Sequence, residues 1–330
     1  MTISKRLSVL ALTVIMIMTF MPFTVNAATK RGWVKEGSDW YYYDTSGHVC
    51  TGWLKDNNKW YFLDSSGRMC TGWVKDKGDW FYLDAGGVMQ TGWVQDNGKW
   101  FYLDKDTGAM FRDKWLWETN SAGVYVGYHF SKATGEMERS QWTQNRKGEW
   151  LYLTSNGSTA LGWNKIGGKW YYFNDRVDNN DARYGIMLKD SWLDDTYYFM
   201  ADGAMATSKW VKVYDGSPYY CQWAYVDKYG KRITNGWNKI DGKWYYFYSD
   251  GIAAAGDSVI GGKKYFFDNL NAFMYTGWFH KTSGSNSWYC ARGDGTLYVN
   301  GWYQIGGYWY QFGTTGQCMN PDEHRTSRPQ

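Results

Sequence analysis

The chain has 330 residues, with 36 basic and 32 acidic side chains and a formal net charge of +4. Aromatic residues make up 20% of it, with 23 Trp among them, so its apolar bulk is carried by flat rings more than by aliphatics. The near-neutral balance, with Lys spread along the chain and usually near an Asp, excludes the clustered basic footprint of a nucleic-acid binder.

The first stretch carries Lys5 and Arg6, an apolar run from Leu7 to Phe20, then Pro22 and a Val25-Asn26-Ala27 close. This pattern predicts a signal peptide over residues 1–27, because the run is short for a membrane span and a small-residue cleavage site follows it. Removing it leaves 34 basic and 32 acidic residues. No later segment is apolar enough to cross a bilayer as a helix.

From residue 28 one pattern takes over. Trp33, Trp53, Trp73 and Trp93 are spaced by twenty, and each is followed seven residues later by Trp40, Trp60, Trp80 and Trp100. The unit reads T-G-W-V-K-D-x-G-x-W-F/Y-Y/F-L-D-x-x-G-x-M-x. Copies are near ideal over 32–110 and diverge over 111–319, headed by Trp115, Trp142, Trp163, Trp192, Trp210, Trp237, Trp278 and Trp302. One copy, GDSVIGGKKYFFDNLNAFM, has lost both tryptophans. Copies 112–140, 209–235 and 276–300 are stretched. Roughly thirteen units of about twenty residues fill the chain to residue 319, and 320–330 is expected to be a polar disordered tail.

The unit predicts its own local structure. GWVK and WFYL are short, β-branched and aromatic, which is strand composition. Between them stand Asn-Gly, Gly-Gly and Asp-Gly pairs (97–98, 167–168, 241–242), which favour tight hairpin turns because Gly tolerates positive φ. Connectors such as LDAGG (83–87) and FNDRV (173–177) open on Asp or Asn, which can cap a second turn. A lone hairpin is marginal in water, but stacked hairpins bury one face continuously. The expected fold is therefore all-β, a solenoid of β-hairpins. Twenty residues are too few for a propeller blade.

Side chains alternate along a strand, so Trp80 and Tyr82 share one face while Phe81 and Leu83 share the other. Two Trp of one unit and an aromatic of the next can form three walls of a shallow box. Ring faces attract cations, so such a box suits a quaternary ammonium. The rings could equally be only the core of a repeat protein, and composition and spacing leave both readings open.

TGWVKDKGDWFYLDAGGVMQ (71–90) and GWNKIGGKWYYFN (162–174) resemble the choline-binding, or cell-wall-binding, repeats of Gram-positive surface proteins, and the likeness extends over 31–319. The resemblance implies a superhelix of hairpins with choline of teichoic or lipoteichoic acid bound between units. Carried over residue by residue, it implies sites at Trp33, Trp40 and Phe62; at Trp53, Trp60 and Tyr82; and at Trp73, Trp80 and Tyr102. Two more follow at Trp142, Trp150 and Tyr172 and at Trp163, Trp170 and Tyr198. Trp278 and Trp288 would face Gln311, which is no aromatic wall, and Trp302 and Trp309 have no unit after them. The same repeats are similar to the glucan-binding repeats of secreted glucosyltransferases and to toxin receptor-binding repeats, so glucan binding, or host adhesion through the stretched copies, stands as an alternative.

No enzyme is expected. The four His (His48, His129, His280, His324) lack ligand or triad spacing, and Asp44, Asp64, Asp84 and Asp104 recur because a turn recurs. The Asp-rich stretch 174–185 lacks a calcium-loop pattern, and neither cofactor nor metal is expected. Five cysteines (Cys50, Cys70, Cys221, Cys290, Cys318) cannot all pair within the chain. The expected partners are choline-bearing polymers or wall polysaccharide, at a secreted, surface-attached location. A homodimer is an expectation of the resemblance alone.

Overall fold

A computed structural model describes residues 29–176, 184–213, 222–281 and 287–328. The expected leader, residues 177–183 of the Asp-rich stretch, Cys221, and parts of the stretched copies at 214–221 and 282–286 lie outside the described residues. The chain divides into two compact units, 1–114 with 130–137, and 115–129 with 138–330. Among the described residues there are 26 strands in thirteen two-stranded antiparallel sheets, one for each repeat. The all-β, hairpin-by-hairpin architecture is thus the one the spacing predicts.

The turns follow their residues. Asn97 and Gly98 have φ of 47° and 76°, and Asp241 and Gly242 have 47° and 82°. Positive φ at both central positions is the turn whose twist matches a hairpin. The connectors close on their Asp: the Asp84 side chain accepts the backbone N–H of Gly86 at 2.8 Å and of Val88 at 2.9 Å. At Asp64 the Ser66 hydroxyl, with the N–H groups of Ser66 and Arg68 and the Arg68 side chain, holds the carboxyl down at about 2.

The repeats are sewn together by their connectors. The N–H of Met89 donates to the carbonyl of Trp60 at 2.8 Å, and Met110 does the same to Trp80. Met69, Met187 and Met205 repeat the bond to Trp40, Trp150 and Trp170. The bond bridges two hairpins whatever the side chain: Arg232 and Leu297 make it to Thr196 and Lys264. The last residue of nearly every second strand is fully buried: Leu63, Leu83 and Leu103 in the first unit, Phe173, Phe199 and Phe247 in the second. Each such side chain contributes about 1.5–3 kcal/mol through burial.

Gly87 shows how closely neighbouring layers approach. Its φ is +79°, and a Cβ there would lie 2.5 Å from the Met69 sulfur. Gly87→Ala is expected to destabilise the first unit by about 1–3 kcal/mol, from left-handed strain and overpacking together. A urea melt reads this directly. An unchanged midpoint would mean that Met69 swings clear at no cost.

Residues 320–328 of the expected tail lie against the last hairpin. The Trp309 N–H donates to the Arg325 carbonyl at 2.8 Å, and Asn320 is buried.

Candidate binding site

The geometry of one hairpin explains the site. In Gly72–Asp76 and Asp79–Leu83, Trp73 stands opposite Tyr82 and Lys75 opposite Trp80, so these four share a face. Val74, Phe81 and Leu83 take the other face. Successive units repeat one operation, so the Trp-bearing face of one hairpin meets the Phe81-type face of the next.

That parity decides the third wall. Trp53 meets Phe81 at 4.8 Å between ring centroids and 71° between planes. Trp33 meets Tyr61 and Trp73 meets Phe101, both at 4.8 Å. In the second unit Trp142 meets Tyr171 at 5.0 Å and Trp163 meets Tyr197 at 4.9 Å. The third ring is therefore the residue directly after the second tryptophan.

The rings expected in that role stand one position further on and pack within their own hairpins. Phe62 lies edge-on to Trp53 at 5.1 Å, Tyr82 to Trp73 at 5.0 Å, and Tyr102 to Trp93 at 5.4 Å. Tyr172 contacts Trp163 at 5.6 Å and Tyr198 contacts Trp192 at 5.2 Å. Tyr172 also donates its hydroxyl to Asp175 at 2.5 Å; burial and that bond push its pKa up to about 12. The same parity supplies the wall that looked missing near the end of the chain. Trp278 meets Tyr310 at 4.8 Å, and not Gln311. Strand alternation separates the two candidates, and the stack, which joins unlike faces, selects the one of opposite parity.

The tryptophan pairs come together as the spacing predicts. Trp53 and Trp60 stand 6.4 Å apart at 87°, Trp142 and Trp150 6.3 Å at 88°, and Trp163 and Trp170 6.2 Å at 84°. Trp60, Trp150 and Trp170 each remain about two-fifths exposed, as does Trp40. Such exposure is unusual for large rings that serve only as a core. Indole N–H groups of the first tryptophans are satisfied away from the hollow: Trp53 donates to Asp76 at 3.1 Å and Trp73 to Asp96 at 3.1 Å. The D of the V-K-D motif thus holds the preceding wall upright.

Two open hollows lie at such pairs. One of about 300 Å³ is lined by Trp53, Trp60, Phe81, Met89, Asp106 and Thr107. One of about 400 Å³ is lined by Trp142, Trp150, Tyr171, Met187, Ala201 and Asp202. Each has three ring walls, a polarisable thioether and one carboxylate at the lining. The Lys55 ammonium lies 5.6 Å from the Trp60 ring. Ring faces and a carboxylate both favour a compact organic cation.

Cations of the chain lie over rings in intact copies, with Lys75 5.9 Å from Trp80 and Lys165 6.0 Å from Trp170, and also where the motif decays. Thr196 and Ala224 stand in the slots of a second tryptophan and a third ring, and the Arg232 guanidinium lies 4.8 Å over Trp192. Beside the copy without tryptophan, Lys281 of the following copy pairs with Asp257 and lies 4.1 Å over Tyr289. Arg325 and Arg328 cover Trp302 and Trp309 at 5.7 and 5.9 Å.

Other polar groups are dispersed. His129 pairs with Glu138 at 2.7 Å, and among the described residues no three His, Cys, Asp or Glu side chains converge as a metal site. Cys50, Cys70, Cys290 and Cys318 are thiols, and burial pushes that of Cys290 up to about 11. Among the described residues no helix is long and apolar enough to cross a membrane.

Choline-binding repeat models match residues 30–71, 50–86, 70–115, 186–222 and 234–279, and a cell wall binding repeat model matches 162–176. Glucosyltransferase-S of Streptococcus mutans is 28% identical over 211 residues, 63% of this chain and 12% of that enzyme. Glucosyltransferase-I of Streptococcus downei is 28% identical over 203 residues, covering 54% and 12%. The chain therefore spans about an eighth of the curated relatives it matches. Among solved structures, the autolysin LytC of Streptococcus pneumoniae, in complex with a synthetic peptidoglycan ligand, is 26% identical with a TM-score of 0.52, covering 76% of this chain and 52% of that one. CbpJ of Streptococcus pneumoniae is 26% identical with a TM-score of 0.47, covering 87% and 99%.

Proposed function

Because the chain belongs to the choline-binding repeat family, we propose that it is a secreted, non-catalytic protein that attaches to a bacterial cell surface by binding choline of teichoic or lipoteichoic acid. The observation that carries this reading is the hollow at Trp53, where three rings and Asp106 face one space. Each ring face attracts a desolvated cation by about 0.5–2 kcal/mol. Three walls then sum to a few kcal/mol, near the ~4 kcal/mol of a millimolar site. Weak sites repeated along one chain hold a repeating polymer by avidity.

A second reading, glucan binding, is favoured by the likeness to the two glucosyltransferases. Titrating intrinsic Trp fluorescence with choline, and separately with a soluble glucan, separates the two. A saturable millimolar response to choline is expected. A response to glucan alone would sink the choline reading and leave the fold unaffected.

A further inference from the structure

The hollows differ in the charge that lines them. Asp106 lines the Trp53 hollow. Asp202 lines the Trp142 hollow and pairs with Lys169 at 3.3 Å. A third hollow, of about 370 Å³, is lined by Trp210, Trp223, Tyr245, Phe273, Lys243 and Asn271. Here Lys243 holds the place of Lys169, directly before the second tryptophan of its hairpin, and Asn271 holds the place of Asp202, three residues before a Met. The carboxylate is gone and the ammonium remains, 3.9 Å over the Phe273 ring. Lys55 also stands over a ring beside the Trp53 hollow, but Asp106 lines that hollow; here no carboxylate is in the lining, and a ligand cation would meet an unbalanced like charge.

The remaining features suit a different ligand. Ala253 replaces the methionine that lies under the other hollows; its N–H donates to the Trp223 carbonyl at 2.8 Å. The Trp223 indole N–H donates to the Leu270 carbonyl at 2.7 Å, which fixes the ring as a plate. Trp210 and Tyr245 stand 4.7 Å apart at 52° and form an adjoining wall. Lys243 offers three donors, and Asn271 offers two donors and an acceptor. Flat apolar faces for ring C–H groups, with a few convergent polar groups for hydroxyls, match a sugar ring.

We propose that the Trp210–Trp223–Tyr245 hollow binds a hexose ring of a neutral saccharide and refuses choline. The site is separate from the choline hollows and does not depend on their assignment.

The test uses the full chain, titrated calorimetrically with maltotriose and with cellotriose, without and with saturating choline. At least one trisaccharide is expected to bind whether or not choline is present. Lys243→Ala and Asn271→Ala, both at exposed positions, should each weaken it about tenfold, the effect of losing one well-placed hydrogen bond. Lys243→Glu should abolish it and add one equivalent of bound choline. Displacement of the sugar by choline, indifference to both alanine variants, or no trisaccharide binding at millimolar concentration would overturn the proposal. So would a clear preference for a trisaccharide carrying a glucuronate. Trisaccharide binding that depends on Lys243 in a protein that binds no choline would support this proposal and refute the choline reading.

Discussion

Trp60→Ala is expected to weaken choline binding at its hollow about tenfold while the urea midpoint barely moves. Trp60 is 41% exposed, and its ring stands at right angles to Trp53 on the open side of the hollow. Removing it deletes one of three ring faces, a loss of about 1.4 kcal/mol if the face lies within the usual range. Little packing goes with it, because its backbone carbonyl still accepts the Met89 N–H. Trp53→Ala is the contrasting case. Trp53 packs on Phe62 at 5.1 Å and on Phe81 at 4.8 Å, and donates its N–H to Asp76. Its loss should lower stability by about 3 kcal/mol as well as affinity. Calorimetric titration beside urea melts of the two variants reads both quantities. Equal losses of stability in the two variants would make the rings core and not cage. Phe81→Ala should weaken choline binding at Trp53, and Tyr82→Ala should not, since Tyr82 faces Trp73.

Phe247→Ala should cost about 3–5 kcal/mol of stability in the second unit. Phe247 is fully buried, lies stacked on Trp210 at 5.8 Å and 22°, and packs with Tyr245, Ala253 and Ala272. It occupies the slot held by Leu83 in the earlier repeats, so its loss leaves a cavity at a junction between hairpins. Repeat arrays transmit such damage mainly to neighbours. The Trp210 hollow should lose its shape, while choline binding at Trp53, in the other unit, persists. Urea melts followed by Trp fluorescence, with NMR of the indole N–H signals, resolve the two. A drop under 1 kcal/mol would mean that the neighbours collapse into the space.

The sequence by itself determined the repeat, the hairpin and its turn, because each depends on residues within twenty positions. The Trp spacing predicted thirteen units, and thirteen hairpins stand among the described residues. Asn-Gly and Asp-Gly pairs adopted the positive φ values their chemistry allows. The paired tryptophans of each hollow were legible too, since they sit on one face of one hairpin. Only the tertiary structure decided which side chain completes the box. Alternation says that Phe81 and Tyr82 point to opposite faces, but not which face meets Trp53 until the hairpins are stacked. The charge at each hollow was equally hidden. Asp106, Asp202 and Asn271 come from connectors two hairpins further on, and whether Lys243 finds a carboxylate or an aromatic ring depends on what that connector carries. Local geometry is encoded locally, while the chemistry of each hollow is assembled from three layers that meet only in the stack.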